Sequence, residues 1–246
     1  MGEGKPLAVD LFCGLGGWTS GLMAEGWHCR GYDIEAHEYG EERYPGEFVQ
    51  RDILEMHGSE IADADLIVSS SPCTEYSYMA MPWTRAKAKA EAIRADTTGE
   101  ALRKLNALFD AQFRLQREAC AAAGRYIPMV VENVRGAEPW VGRAAWNYGS
   151  FYLWGDVPAL MPLGAGRKVP GFRFDGSGRS FQTAAVAEGK KLGGSWFHGY
   201  APGVQGPRNH GSGSKARKRA SAQIAKIPFA LSSHVAWVYQ PLRRAS

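Results

Sequence analysis

The chain has 246 residues, 45% of them hydrophobic and 11% aromatic, with a formal net charge of +4. That length holds one full-sized domain, or one domain with a small appended lobe, and the apolar content excludes global disorder. No apolar run is long enough to cross a bilayer and no charged leader precedes an apolar stretch at the amino terminus, so a cytoplasmic protein is expected.

The first third alternates short apolar runs with helical stretches. A strand LAVDL ends in the glycine-rich turn Phe12-Cys13-Gly14-Leu15-Gly16-Gly17, and an amphipathic helix follows from Trp18 to Glu25. Glycines at such a turn let backbone approach a ligand. WHCRGYDIE then reads as a second strand ending at Asp33, Ile34 and Glu35, followed by a charged helix to Tyr44. FVQRDI closes a third strand at Asp52 and Ile53, and DLIVSSS a fourth that runs into Pro72-Cys73. Alternating strands and helices imply βαβ units on a parallel sheet, whose sites lie at the carboxyl ends of the strands. A carboxylate ending the second strand suits ribose hydroxyls, and Asp52 with Ile53 offers a polar and an apolar contact to an adenine; together the three strand ends suggest a nucleoside cofactor.

From Thr84 to Gly124 the residues are rich in Ala, Arg, Lys, Glu and Leu and predict a mobile loop followed by a long helix. The next strand, YIPMVVEN, ends in Glu132 and Asn133. Residues 150–214 are dense in Gly, Pro, aromatic and basic residues, as in a small irregular lobe closing on the hinge HGSGS. A final helix is expected over 216–238, with Pro228 as a break or kink. The expected division is therefore a catalytic domain over 1–150, a lobe over 151–215 and a helix over 216–246 that returns to the catalytic domain.

Four cysteines, at 13, 29, 73 and 120, show no CxxC pairing and no histidine cluster at ligand spacing, so free thiols and no metal are expected. Cys73 stands apart because it follows a strand end, where a thiolate is exposed for attack; most cysteines elsewhere are inert packing. Half-buried Glu132 is placed to carry a raised pKa and to donate at neutral pH, and its alternative role is a turn or helix cap. Charge is unevenly distributed. Beyond Glu188 there are ten lysines and arginines and no acidic residue, whereas the first 188 residues hold nineteen basic residues against all 25 acidic ones. A polyanion partner for the carboxy-terminal part fits this asymmetry, as does a solvated basic tail.

DLFCGLGG, YDIE, RDI, SSPCTEYS and VVENVRG, in that order across residues 7–136, resemble motifs I, II, III, IV and VI of the DNA cytosine-5 methyltransferases. The resemblance implies an α/β, Rossmann-like SAM-dependent methyltransferase fold, a mostly parallel sheet with helices on both faces, and a small target-recognition lobe. It implies Cys73 as the nucleophile on C6 of a flipped cytosine, Glu132 as the group that activates the base, Pro72 shaping the loop and Asn133 bracing it. It further implies S-adenosyl-L-methionine (SAM) held by Phe12 at the adenine face, by Gly14, Leu15, Gly16 and Gly17 at the turn, by Asp33 and Ile34, and by Asp52 and Ile53. Double-stranded DNA is the implied partner and a monomer suffices for the chemistry. The compact size and basic finish are similar to phage and prophage members, which act in a bacterial or phage-infected cell.

Three departures from the family pattern qualify it. Position 71 is Ser where Pro or Phe is common. NYGSFYLWGD takes the place of motif VIII but lacks both of its arginines, for which Arg85, Arg135 and Arg143 are the candidate substitutes. IAKIPFALSSHVA resembles the end of motif X with Lys226 at or beside an asparagine near the methionine end of SAM; a cation there suits a carboxylated SAM donating a modified group, or is a surface lysine. In the short lobe and tail, Arg167, Lys168, Lys190, Lys191, Arg208, Lys215 and Arg217 among aromatic residues suit phosphate and base contacts. A transfer RNA cytosine-5 enzyme and a non-catalytic DNA-binding relative are the competing readings; Cys73-Thr74-Glu75 departs from the transfer RNA branch, and intact Cys73 and Glu132 argue against the second.

Overall fold

The computed structural model describes residues 4–77, 83–159, Ala222 and 226–241. It divides into one unit of Met1–Leu163 with Ile227–Ser246 and a second of Gly164–Lys226. All elements described below belong to the first.

Five parallel strands, β1 (Leu7–Leu11), β2 (His28–Asp33), β3 (Glu47–Gln50), β4 (Leu66–Ser70) and β5 (Met129–Asn133), form the sheet with two further strands, β6 (Trp146–Tyr148) and β7 (Phe151–Gly155). The spatial order is β3-β2-β1-β4-β5-β7-β6, with β7 antiparallel to both β5 and β6. β1, β4 and β5 each open on an apolar run, Leu7–Val9, Leu66–Val68 and Met129–Val131, because both faces are covered, the usual state of parallel strands joined by helical crossovers. Successive residues therefore enter different cores. Val9, Leu11, Ile67, Met129 and Val131 pack with Phe109 and Leu115, whereas Ala8, Leu66, Val68 and Val130 pack with Trp18, Leu22, Leu231 and Val235. These sets come from α3 (Glu100–Ala123) on one face and from α1 (Gly17–Ala24) with α5 (Phe229–Val238) on the other. Strand order reverses between β1 and β4, and the crevice at their carboxyl ends is where such folds take ligands.

Backbone contacts fix the helices closely. α1 crosses α5 at Gly21, where a Cβ would stand 2.1 Å from Ser232 Oγ and 2.4 Å from Ser233 N. Gly58, in a 3₁₀ turn over Gly58–Ile61, meets α3 as closely, 2.4 Å from Ala119 N, and donates its N–H to Glu118 at 2.8 Å. Arg114 adds a hydrogen bond of 2.9 Å to Met56 O, so α3 is tied to the segment following β3.

Several sequence expectations change. No helix follows β2: residues 36–46 make a turn with an isolated bridge between Tyr39 and Glu42, Gly40 at φ 71° and Tyr44 buried against Gly31. The segment from Thr84, expected to begin as a mobile loop, is helical from the outset in α2 (Trp83–Ala95), whose alternating alanines and long charged side chains favour helix. Asp96 ends it and starts α3 by accepting the N–H groups of Thr98 at 2.9 Å and Ala101 at 2.7 Å. The sheet also passes the expected boundary at residue 150, since Phe151–Gly155 pairs with β5. Pro228 is the N-cap of α5, the break expected there, consistent with its missing N–H. A short helix α4 (Glu138–Val141) follows β5.

Candidate active site

The turn after β1 carries the backbone strain. Phe12 has φ 56°, the single non-glycine left-handed conformation among the described residues, and Gly14 and Gly16 follow at 49° and 69°. A Cβ on Gly16 would lie 2.5 Å from Pro45 Cδ. Such strain persists where surrounding structure enforces it, often at ligand sites. The turn is locked to the second strand, because Gly14 N–H donates to Asp33 Oδ2 at 3.0 Å and Cys13 N–H to Tyr32 O at 3.1 Å. Burial raises the Asp33 pKa, but His37, 3.7 Å away, and the Gly14 N–H outweigh it and hold the carboxylate below its usual range. Beneath this turn, Thr19 Oγ1 donates to Asp10 Oδ2 at 2.8 Å and lies 2.7 Å from the Tyr44 hydroxyl. Burial pushes the Asp10 carboxyl up to about 8.

Around the crevice the predicted cofactor residues divide. Ile34 is 63% exposed beside Asp33, whereas Leu15 and Ile53 are buried, Ile53 in the α3-side core. The Ile53 side chain is therefore committed to packing. Its neighbour Leu54 is 49% exposed. Asp52 Oδ1 accepts the Leu54 N–H at 2.9 Å, shaping that turn.

At the ends of β4 and β5, Ser70 and Glu132 are register partners. Cys73 follows in a turn closed by Tyr76 N–H and Ser77 N–H, which donate to Cys73 O at 3.0 and 2.9 Å. Burial pushes the Cys73 thiol up, and the nearby charge of Glu132 adds to the rise. Glu132 is itself buried, which brings its carboxyl to about 7 despite a hydrogen bond from Ser70. Trp18 Nε1 donates to Ser70 Oγ at 2.9 Å, completing a path from α1 to the carboxyl.

The opposite face of the same strands holds a second polar network. Asn133 Nδ2 donates to both Ser71 O and Ser71 Oγ at 3.1 Å, and Asn133 Oδ1 accepts the Val134 N–H at 2.8 Å. Gln112 of α3 donates to Ser71 Oγ at 3.2 Å and accepts from Ser69 Oγ. Pro72 bridges this gripped residue and Cys73. On the far side of Cys73, Tyr76 OH donates to Asn106 Oδ1 of α3 at 3.0 Å. Gln112 and Asn106 escaped the sequence reading; the available signal was two amides on the apolar stripe of an otherwise regular amphipathic helix, at Asn106 and Gln112 beside Phe109 and Leu115.

Arg85, Arg135 and Arg143 are all exposed, on α2, directly after β5 and in the turn following α4. The segment expected to replace motif VIII is the β6–β7 hairpin, in which Asn147 Nδ2 donates to Gly149 O at 3.1 Å. Lys226 closes the second unit. Arg167, Lys168, Lys190, Lys191, Arg208, Lys215 and Arg217 lie outside the described residues. Among the described residues there is no group of His, Cys, Asp and Glu able to hold a metal ion, and no helix long and apolar enough to cross a membrane.

The strand order, the reversed last strand and the helical layers define a SAM-dependent methyltransferase-type α/β fold. Residues 8–97 match the family model described as C-5 cytosine-specific DNA methylase. No curated protein matches the chain. Among solved structures, a DNA modification methyltransferase encoded within an E. coli prophage is 21% identical with a TM-score of 0.37, covering 56% of this chain and 35% of that one. An Entamoeba histolytica methyltransferase (15%, TM-score 0.33) covers 57% of this chain and 41% of its own, and S. pombe Dnmt2 (13%, TM-score 0.34) covers 56% and 37%. The matched region thus spans well under half the length of these proteins.

Proposed function

We propose that the chain methylates C5 of cytosine in duplex DNA, through a covalent bond between Cys73 Sγ and C6 of a base turned out of the helix. The supporting observation is that Cys73, three residues beyond β4, stands close enough to Glu132 near the end of the adjacent parallel strand β5 for the carboxylate charge to raise the thiol. Cytosine C5 is a poor nucleophile, and C5 and C6 are out of reach within the base stack.

In this reading the Cys73 thiolate adds to C6 and the electron pair of the C5–C6 bond moves toward C5. Glu132, with its carboxyl near neutrality, donates to N3 and absorbs the charge that develops on the ring. After C5 has gained the methyl group, loss of the C5 proton and departure of Cys73 from C6 restore the double bond. Asn133 holds Ser71, and with it the Pro72-Cys73 turn. The residues present fit SAM: Asp33 is an ionised acceptor at a strand end, Gly14 has nothing within 4 Å of its Cβ position, Phe12 and Gly16 lie in the left-handed turn after β1, Gly17 opens α1, and Ile34 and Leu54 are exposed. When bound, SAM supplies an electrophilic methyl group. The basic carboxy-terminal part would neutralise phosphates, which makes binding fall steeply with salt.

Transfer of labelled methyl from SAM to duplex DNA, single-stranded DNA and transfer RNA, with wild type and Cys73→Ala, tests the proposal. The expected result is transfer to duplex DNA that disappears with the thiol. Transfer confined to transfer RNA, or transfer that persists in Cys73→Ala, contradicts it.

A further inference from the structure

Ser71 immediately precedes Pro72-Cys73 and is gripped from two directions. Asn133 reaches it from β5, and Gln112 reaches it from α3. Gln112 is completely buried, so its amide is selective about geometry: its oxygen takes the Ser69 hydroxyl, and its nitrogen divides between Ser71 Oγ at 3.2 Å and Phe109 O at 3.2 Å. Buried amides lose water and must be satisfied, and an aliphatic side chain would fill the same space without that requirement. What the amide adds is direction. Its two external partners are residues of the β4 terminus leading to the nucleophile, and its helix is anchored on either side. Arg114 bonds Met56 O at 2.9 Å, and Asn106 donates to Trp140 O at 2.9 Å while accepting from Tyr76 at 3.0 Å. α3 therefore holds the chain before Cys73 through Ser71 and after it through Tyr76.

We infer that Gln112 is a positioning residue for the Cys73 thiol, acting through Ser71 to fix the turn from which the thiol projects. The inference rests on the proposed role of Cys73 as nucleophile. It assigns to α3 a part in catalysis that needs no contact with substrate: displacing the thiol slows attack on C6 while leaving DNA and SAM binding intact.

The test compares wild type, Gln112→Leu, Ser71→Ala and the apolar pair Ser71→Ala/Gln112→Leu, each checked for folding by thermal melting. Two readouts are taken: kcat and KM for methyl transfer to duplex DNA, and the rate at which iodoacetamide alkylates Cys73, resolved by peptide mass spectrometry. Gln112→Leu is expected to lower kcat by about tenfold to a hundredfold, the range for a small misplacement of a reacting group, with both KM values changed less than about twofold. The apolar pair removes the Gln112 amide together with the Ser71 hydroxyl that accepts from it, and its kcat stays at the level of Gln112→Leu. It also serves as the test if Gln112→Leu alone does not fold. A kcat within about twofold of wild type in a folded variant overturns the inference, as does a loss confined to KM. If wild type transfers no methyl group to any nucleic acid, the proposed function fails, and the alkylation rate still decides the role of Gln112: a changed rate and pH profile in Gln112→Leu supports positioning, and an unchanged one overturns it.

Discussion

The two faces of the β4–β5 pair treat the same strand ends with different chemistry. Toward α3, Ser69, Ser71, Asn133 and Gln112 form a network of neutral amides and hydroxyls that holds backbone in place. Toward α1, Trp18 and Ser70 lead to an ionisable group, Glu132, whose proton affinity they adjust. Strand alternation produces this division, because neighbouring residues point to opposite layers. One face fixes where the nucleophile stands; the other sets what charge the activating group carries. Changes on the α3 face should therefore alter rates and stability at every pH, and changes on the α1 face should alter pH dependence.

The largest break is expected from Glu132→Gln. Losing the proton donor should cost about 10²–10⁴ in kcat, the ordinary contribution of general acid–base catalysis. Cys73 should at the same time ionise more readily, since the charge that raises it is gone, and the pH dependence of alkylation reads this directly. Next is Asn133→Ala on the other face. It removes two donors to Ser71 and the acceptor for Val134, a loss of about 2–4 kcal/mol from a fully buried site, visible as a reduced urea midpoint at both pH 6 and pH 8.

Trp18→Phe sharpens the contrast at smaller scale. It leaves the packing largely filled but takes the indole donor from Ser70, so the hydroxyl is less firmly aimed at Glu132 and the carboxyl titrates higher. The alkaline limb of kcat should move upward, with a stability cost of about 1 kcal/mol. Smallest is the pH dependence of stability itself. Asp10, at about 8, and Glu132, at about 7, hold their protons more tightly folded than unfolded. Their contribution to stability is complete at low pH and is lost as pH rises through those values. Melting temperature should fall between about pH 4 and 8, the interval from the unfolded to the folded carboxyl pKa, and Asp10→Asn should flatten the upper part of that slope.

Much of this site was legible in the sequence because motif chemistry sits at strand ends. Asp33 and Asn133 end their strands, Glu132 precedes Asn133, and Cys73 follows the end of β4 by three residues, and parallel strands bring such ends to one edge. Features depending on tertiary packing were not. Charge pattern suggested a helix before Tyr44, yet Tyr44 packs against Gly31 and Gly16, and the chain turns at Gly40 to bring it there. β7 carries aromatic and glycine residues that read as the start of an irregular lobe, although pairing with β5 makes Phe151–Gly155 part of the sheet. Gln112 was concealed for a related reason: an amide on an apolar stripe looks like a tolerated exception until Ser69 and Ser71 appear opposite it.

The central claim is a covalent bond from Cys73 to the target base, and it can be trapped. In a duplex carrying 5-fluorocytosine at the target positions, C5 cannot lose a proton after methyl transfer, so Cys73 cannot leave C6. Incubation with SAM should give a protein–DNA adduct stable to denaturation, mapped by peptide mass spectrometry to Cys73 and absent from Cys73→Ala. An adduct on another residue, or one that forms without the Cys73 thiol, would contradict the account.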